Sequence, residues 1–198
     1  MKPSRLEPPK LGVLISGRGS NLKAIIEAIE QKRLDASIAV VISNRADAPG
    51  LEHARTAGIE TLVLSHTDFA SREDYDRALV KELKDRGVAL VCLAGFMRLL
   101  SPVMVGAFPN RILNIHPSLL PKYPGLHPQR QALDDGAAVS GATVHFVNTE
   151  LDAGPVVLQR EVPVLPGDNE HTLADRILQV EHQLYPEAIA AVLDRARL

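Results

Sequence analysis

Short apolar segments alternate with helical patterns along the first 116 residues, and this alternation constrains the fold more than any other feature. Residues 88–94 are apolar throughout, which is typical of a parallel strand buried on both faces. Strands that alternate with helices predict an α/β fold: a Rossmann-like, mostly parallel twisted sheet with right-handed crossovers and helices on both faces. The predicted strands cover residues 11–15, 38–42, 61–64, 88–94 and 112–116, and the predicted helices begin near residue 22, at 48, at 70 and at 101.

The second half of the chain changes pattern. Residues 141–147 alternate in polarity and, after a turn, residues 156–159 form another apolar segment, so these two strands predict a hairpin-like extension of the sheet. Residues 117–128 are rich in proline and predict a rigid loop. Apolar residues at helical spacing from Leu173 to Ala188 predict a long C-terminal helix. We expect one domain over residues 1–198, with a loose tail at residues 1–10.

Composition argues against several classes of partner. The formal net charge is −2, from 22 basic and 24 acidic residues, and gives no electrostatic reason to bind nucleic acid or an anionic membrane. No apolar run approaches the roughly 20 residues of a membrane-spanning helix. The single cysteine, Cys92, excludes an intrachain disulfide and predicts a buried, inert side chain. A cytoplasmic protein with small-molecule substrates is expected, either monomer or homodimer.

The strand over residues 112–116 carries two polar side chains, Asn114 and His116, directly before Pro117. Residues two apart in a strand point to the same face, so an amide and an imidazole would lie side by side. Proline has no N–H for a sheet, so the strand should end there. Two convergent donors suit an oxyanion formed during acyl transfer. The alternative is an Asx turn beside a core histidine.

Residues 17–21, Gly-Arg-Gly-Ser-Asn, join the first strand to the first helix. Glycines let the backbone approach an anion, and a helix N-terminus offers free N–H groups. The sequence is neither a P-loop nor a dinucleotide fingerprint, which would need a third glycine at Leu22. It predicts a site for a single phosphate monoester, or alternatively a tight turn with ordinary helix capping.

Two carboxylates are further candidates. Asp152 lies in a turn between the last two strands and would favour a charged His116 if the sheet brings them together; the alternative is turn chemistry alone. Glu181 lies at the edge of the apolar stripe of the last helix and is either a solvated rim residue or an acceptor for a ligand amine. The histidines have no metal-site spacing and no Gly-x-Ser-x-Gly motif occurs, so neither a metal site nor a serine hydrolase is expected.

Together these motifs resemble the phosphoribosylglycinamide formyltransferases, a family of folate-dependent enzymes of purine synthesis. The likeness runs from about Leu11 to about Leu193. It is carried by ISGRGSNL (15–22), LAGFMR (93–98), LNIHPSLLP (113–121), YPGLH (123–127), VHFV (144–147) and LDAGP (151–155).

The resemblance implies transfer of a formyl group from 10-formyltetrahydrofolate to the amine of glycinamide ribonucleotide, without a metal. Asn114 and protonated His116 would stabilise the oxyanion, and Asp152 would hold His116 and a proton-carrying water. The ribonucleotide would contact Gly19, Ser20, Asn21, Gly95, Pro117 and Glu181. The folate would contact Arg72, Leu93, Met97, Arg98, Leu99, Leu100, Val105, Ile112, Val147, Asn148, Thr149, Glu150 and Leu151.

Three other functions stay open at this point. A formyltetrahydrofolate hydrolase and a transferase acting on initiator tRNA use the same catalytic core, but both resemble this chain plus a further domain. A non-catalytic nucleotide-binding α/β module is the third, and the joint presence of Asn114, His116 and Asp152 argues against it.

Overall fold

The computed structural model describes residues 7–196. Within them, seven strands form one sheet in the order β3-β2-β1-β4-β5-β6-β7. The strands are β1 (Lys10–Ile15), β2 (Ser37–Ser43), β3 (Thr61–Val63), β4 (Leu90–Leu93), β5 (Ile112–His116), β6 (Val139–Phe146) and β7 (Val156–Pro163). The helices are α1 (Ser20–Glu30), α2 (Gly50–Thr56), α3 (Arg72–Asp85), α4 (Pro102–Ala107), α5 (Pro128–Asp134) and α6 (Glu170–Ala196).

The predicted mixture of parallel strands and a late hairpin is confirmed. Strands β1 to β5 pair in parallel, whereas β6 runs antiparallel to β5 and β7 antiparallel to β6. Strand β5 ends at His116, as the proline that follows requires. The sheet order reverses direction between β1 and β4, and ligands of open α/β sheets bind outside the carboxyl ends of strands at such a point.

Helices cover both faces of the sheet, because alternate residues of each buried strand point to opposite sides. On one face, Val13 and Cys92 pack in a cluster with side chains of α1, α2 and α6. On the other face, Leu14 and Val91 pack with side chains of α3 and α4. Cys92 is fully buried, and burial raises the pKa of its thiol to about 12, so it stays an unreactive thiol at neutral pH.

Several local predictions need correction. Strand β1 already begins at Lys10, residues 7–9 have no regular structure, and the rest of the predicted tail lies outside the described residues. Helix α6 begins earlier and ends later than its apolar stripe. Ser101 precedes α4 as predicted but makes no side-chain capping bond; its backbone N–H donates to Asp76 Oδ2 at 2.6 Å. A buried carboxylate outside the helix therefore takes part in fixing the start of α4.

Across residues 7–196, no helix combines the length and the apolar character needed to cross a membrane.

Candidate active site

Asn114 and His116 both lie on β5, and the antiparallel register of β6 determines what faces them. Asn114 is paired with His145, and His116 with Thr143. Asn114 is only partly buried, whereas His116 is buried. Because Asn114 lies inside a strand, the Asx-turn alternative does not hold for it.

Both ring nitrogens of His116 face oxygen acceptors. Nε2 lies 2.9 Å from the carbonyl oxygen of Tyr123, and Nδ1 lies 3.5 Å from Asp152 Oδ2. An imidazolium ring would have a proton for each of these oxygens, whereas a neutral ring has only one. In the imidazolium form both N–H groups would face these oxygens, which leaves Asn114 as the donor of this pair for a ligand.

The Asp152 carboxylate lies between His116 of β5 and His145 of β6. Oδ2 accepts the backbone N–H of Gly125 at 2.9 Å, and Oδ1 lies 3.8 Å from His145 Nε2. The backbone of Asp152 adopts a left-handed φ of 50°, a conformation that aspartate tolerates better than most residues. The structure thus brings together Asp152 and His116, which are 36 positions apart in the chain, while their catalytic roles stay predictions.

His145 is a site residue that the sequence patterns did not single out. Its Nε2 lies 3.2 Å from Asn114 Nδ2 and its Nδ1 lies 2.9 Å from the carbonyl oxygen of Phe146. Polarity alternation placed it on the same face as Thr143, but only the β5–β6 register places it opposite Asn114.

The glycine loop is built around a close backbone approach. Gly19 has a φ of 69°, and a Cβ there would lie 2.6 Å from the Cα of Gly50. Gly50 in turn donates its N–H to the carbonyl of Gly17 at 2.9 Å. Gly19 is the N-cap of α1 and no side chain caps the helix there, so its first N–H groups have no side-chain acceptor. The uncapped N-terminus fits an anion site.

Glu181 is buried, with 6% of its surface exposed, so the solvated-rim alternative is wrong. Its Oε2 accepts Asn21 Nδ2 at 3.1 Å, and burial raises the pKa of its carboxyl to about 7, partly opposed by that hydrogen bond. Asn21 Oδ1 is buried without a partner among the described residues. The amide predicted to bind phosphate therefore connects the glycine loop to α6.

A cleft of about 300 Å³ is lined by two predicted ribonucleotide contacts, Pro117 and Glu181, and by one predicted folate contact, Met97. Gly95 has a φ of 73° and is exposed on the loop after β4. Side chains that the sequence patterns did not indicate complete the lining: Arg18, Gln129, His171, Ala174, Asp175 and Leu178. The position of Arg18 inside the glycine loop was the one signal that could have identified any of them.

The predicted folate contacts differ in their exposure to solvent. Met97, Leu99 and Leu151 are exposed apolar side chains, with Met97 70% exposed. By contrast, Leu93 and Ile112 are buried in the core cluster on the α3–α4 face, and their contact with a folate stays a prediction. Three further contacts are partly buried, namely Leu100, Val105 and Arg98, and Val147 packs against the same cluster. Arg72 forms an ion pair with Glu73. The turn before Asp152 consists of Asn148, Thr149, Glu150 and Leu151.

A chain of hydrogen bonds connects the loops that follow β1, β2 and β4. The backbone N–H of Met97 donates to Ser16 Oγ at 2.9 Å, and Ser16 Oγ donates to Asn44 Oδ1 at 2.6 Å. The two loops assigned to different ligands are therefore held in one arrangement. No local sequence pattern indicates this connection, because 81 residues separate Ser16 from Met97.

We expect the buried Glu181 to make stability depend on pH. Its pKa is about 7 in the folded protein and near 4.5 when unfolded, so the folded state binds the proton more tightly. The contribution of Glu181 to the free energy of unfolding should therefore be greatest below pH 4.5. It should fall by on the order of 3 kcal/mol as pH rises through 7. Denaturant unfolding of wild type and Glu181→Gln at about pH 5.5 and 8 tests this, since the variant should lack that loss.

The exposed Glu30 provides the matched control, because Glu30→Gln should leave the difference between the two pH values unchanged. If wild type and Glu181→Gln lose equal stability between these two pH values, the buried carboxyl does not titrate in this range.

Residues 7–196 contain no group of three or more His, Cys, Asp or Glu side chains placed to hold a metal ion.

The chain is similar to proteins of one family over most of its length. Residues 9–189 match the family model described as formyl transferase. Over 182 residues the chain is 53% identical to phosphoribosylglycinamide formyltransferase of Escherichia coli K12, covering 92% of this chain and 86% of that protein. It is 51% identical over 189 residues to the trifunctional purine biosynthetic protein adenosine-3 of Drosophila pseudoobscura pseudoobscura, covering 94% of this chain but only 14% of that protein.

The fold agrees with solved structures of similar proteins. Glycinamide ribonucleotide transformylase 1 from Symbiobacterium toebii superposes with a TM-score of 0.92 at 52% identity, covering 96% of this chain and 92% of that one. The phosphoribosylglycinamide formyltransferase from Bacillus halodurans gives a TM-score of 0.91 at 36% identity, covering 94% of this chain and 96% of that one.

Proposed function

Since the chain belongs to the formyl transferase family, we propose that it transfers the formyl group of 10-formyltetrahydrofolate to the amine of glycinamide ribonucleotide in purine biosynthesis. One observation carries the proposal: the Asp152 carboxylate lies 3.5 Å from His116 Nδ1, beside an amide, Asn114, that has an N–H to spare. A charged imidazole and an open amide donor suit a reaction that creates a negative oxygen.

In this proposal the substrate amine attacks the formyl carbon, the new C–N bond forms, and the bond from that carbon to N10 of the donor breaks. Asn114 donates a hydrogen bond to the formyl oxygen as it becomes negative, and the charge of His116 stabilises it further. Asp152 keeps His116 charged and orients a water that carries a proton from the amine to N10. No covalent enzyme intermediate and no metal take part.

The side chains present fit a folate donor, which supplies an activated formyl group. A pterin ring needs apolar contacts, and Met97, Leu99 and Leu151 are exposed apolar side chains on the two loops proposed to hold it. Two cations are available for the glutamate tail, Arg98 and the exposed Arg72. The Arg98 guanidinium lies 5.9 Å from the ring centre of Tyr75, and its buried Nε has no partner among the described residues.

The ribonucleotide is assigned to the cleft between the glycine loop and Glu181. Gly19, Ser20 and Asn21 would hold the phosphate at the N-terminus of α1, with Arg18 as a further cation at the cleft. Glu181, with the backbone of Gly95 and Pro117, would position the glycinamide end. We place this reaction in the cytoplasm and assign it to a single domain spanning residues 1–198 that acts on small molecules.

Absorbance change on conversion of a 10-formyl folate analogue tests the function directly. Turnover that depends on glycinamide ribonucleotide supports the transferase. Turnover without that amine would instead indicate a formyltetrahydrofolate hydrolase, and no turnover under either condition would favour a nucleotide-binding module.

We expect Asn21→Ala to weaken ribonucleotide binding while the affinity for a folate analogue stays constant. A hydrogen bond to a charged group is worth about 1.5–3 kcal/mol, roughly 10- to 100-fold in Kd. Calorimetric titration with each ligand measures both affinities, and equal losses for the two ligands would contradict the assignment. We also expect Glu181→Gln to raise KM for the ribonucleotide, because it weakens the hold of this side chain on the amine end of the substrate, and unchanged kinetics would contradict that role.

A further inference from the structure

His145 is buried against the catalytic strand without a role in the reaction described so far. It lies on β6 directly opposite Asn114 of β5. Its two ring nitrogens contact different groups: Nδ1 lies 2.9 Å from the backbone oxygen of Phe146, and Nε2 lies 3.2 Å from Asn114 Nδ2.

These contacts determine which nitrogen of His145 carries the proton. A backbone carbonyl only accepts hydrogen bonds, so Nδ1 must be the protonated nitrogen. Burial lowers the pKa of the His145 imidazole, which favours the neutral ring, against smaller opposing effects of the Phe146 carbonyl and Asp152. The neighbouring charged groups are Asp152, 3.8 Å from Nε2, and His116, whose charge also disfavours a second imidazolium. Nε2 therefore presents a lone pair to Asn114.

That lone pair fixes the orientation of the Asn114 amide. One N–H of Nδ2 donates to His145, which leaves the second N–H free and turns the amide oxygen away from His145. The reverse orientation would place the amide oxygen against a nitrogen lone pair, with no proton between them. A free N–H of defined direction is what an oxyanion donor needs, because such donors act only when they are aimed in advance.

We propose that His145 is a positioning residue, which holds the Asn114 amide so that its free N–H points at the formyl oxygen during transfer. This inference rests on the proposed function. It adds that the tautomer of a residue outside the Asn114–His116–Asp152 trio sets the orientation of the oxyanion donor.

Two substitutions separate positioning from simple packing. The amide of glutamine reaches about as far as histidine Nε2, whereas the amide of asparagine reaches only as far as Nδ1. His145→Gln therefore keeps an acceptor for Asn114, and His145→Asn keeps only a donor for Phe146. We expect His145→Asn to lower kcat by about 10- to 100-fold, somewhat less than outright loss of an oxyanion donor. His145→Gln should stay within about fivefold of wild type, and KM for both substrates should change less than about twofold in either variant.

A double-mutant cycle with Asn114→Ala adds a readout that a structural role would not produce. In the Asn114→Ala background, His145→Asn should lower kcat by less than about threefold, because no amide is left to orient. Equal losses in both backgrounds, or equal losses for His145→Asn and His145→Gln, would overturn the proposal.

The wild-type protein offers an independent test that does not depend on the folding of any variant. Nitrogen-15 NMR of the imidazoles at neutral pH should find His145 protonated at Nδ1 and unprotonated at Nε2. A protonated Nε2 would overturn the proposal. Failure of the proposed function looks different, since wild type itself would then show no formyl transfer to the ribonucleotide.

Discussion

Asp152→Asn should reduce kcat on the order of 10²–10³-fold while leaving the fold and both substrate affinities nearly intact. Asparagine has the same shape and can still accept the Gly125 N–H that Asp152 accepts at 2.9 Å. It lacks the negative charge that faces His116 Nδ1 at 3.5 Å. An imidazolium at His116 would then have no opposite charge facing its Nδ1, so it would be a weaker partner for the developing oxyanion.

Steady-state kinetics and calorimetric titration of the variant separate these effects. A loss confined to kcat means that the missing interaction matters mainly in the transition state. Asp47→Asn is the matched control, because Asp47 is an exposed carboxylate paired with Arg45 on the surface. A near wild-type rate for Asp152→Asn would refute the mechanism, and a parallel loss of ligand affinity would assign Asp152 to binding instead.

Gly154→Ala should disable the site from two residues away. A Cβ on Gly154 would overlap the backbone oxygen of Phe146, so no side chain fits there without a shift. The turn that carries Asp152 is also fastened there, since the Phe146 N–H donates to the Pro155 carbonyl at 2.9 Å. The backbone must shift, at a cost of about 1–3 kcal/mol or more.

Both stability and rate report this shift. At about 2–4 °C per kcal/mol for a chain of this size, Tm should fall by several degrees. Displacement of a catalytic group by about 1 Å can cost roughly 10²-fold in rate, so kcat should fall as well. Gly106→Ala in α4 is the control, because an added Cβ meets nothing there and alanine favours a helix. A Gly154→Ala variant with wild-type Tm and kcat would show that the turn tolerates displacement.

The amino-acid sequence was sufficient to predict most strands and helices and much of the sheet architecture. Hydrophobic periodicity is set by neighbours along the chain, so it predicted the five parallel strands, the late hairpin and the long last helix. Pro117 fixed the end of β5 for a reason local to its own backbone. The motifs around Asn114, His116 and Asp152 were specific enough to indicate the family by themselves, because they are contiguous runs of residues that can be read without knowing which strands are neighbours.

The arrangement of the site depended on contacts that no local pattern encodes. From the sequence Glu181 was either a solvated rim residue or an acceptor for a ligand amine, and only the packing of α6 against α1, which buries it beside Asn21, 160 positions away, excludes the first. No sequence pattern gave His145 a role, and only the β5–β6 register places it opposite Asn114. Which residues share a strand face follows from a two-residue period, whereas which strands become neighbours follows from packing of the whole sheet, and the second decided the site.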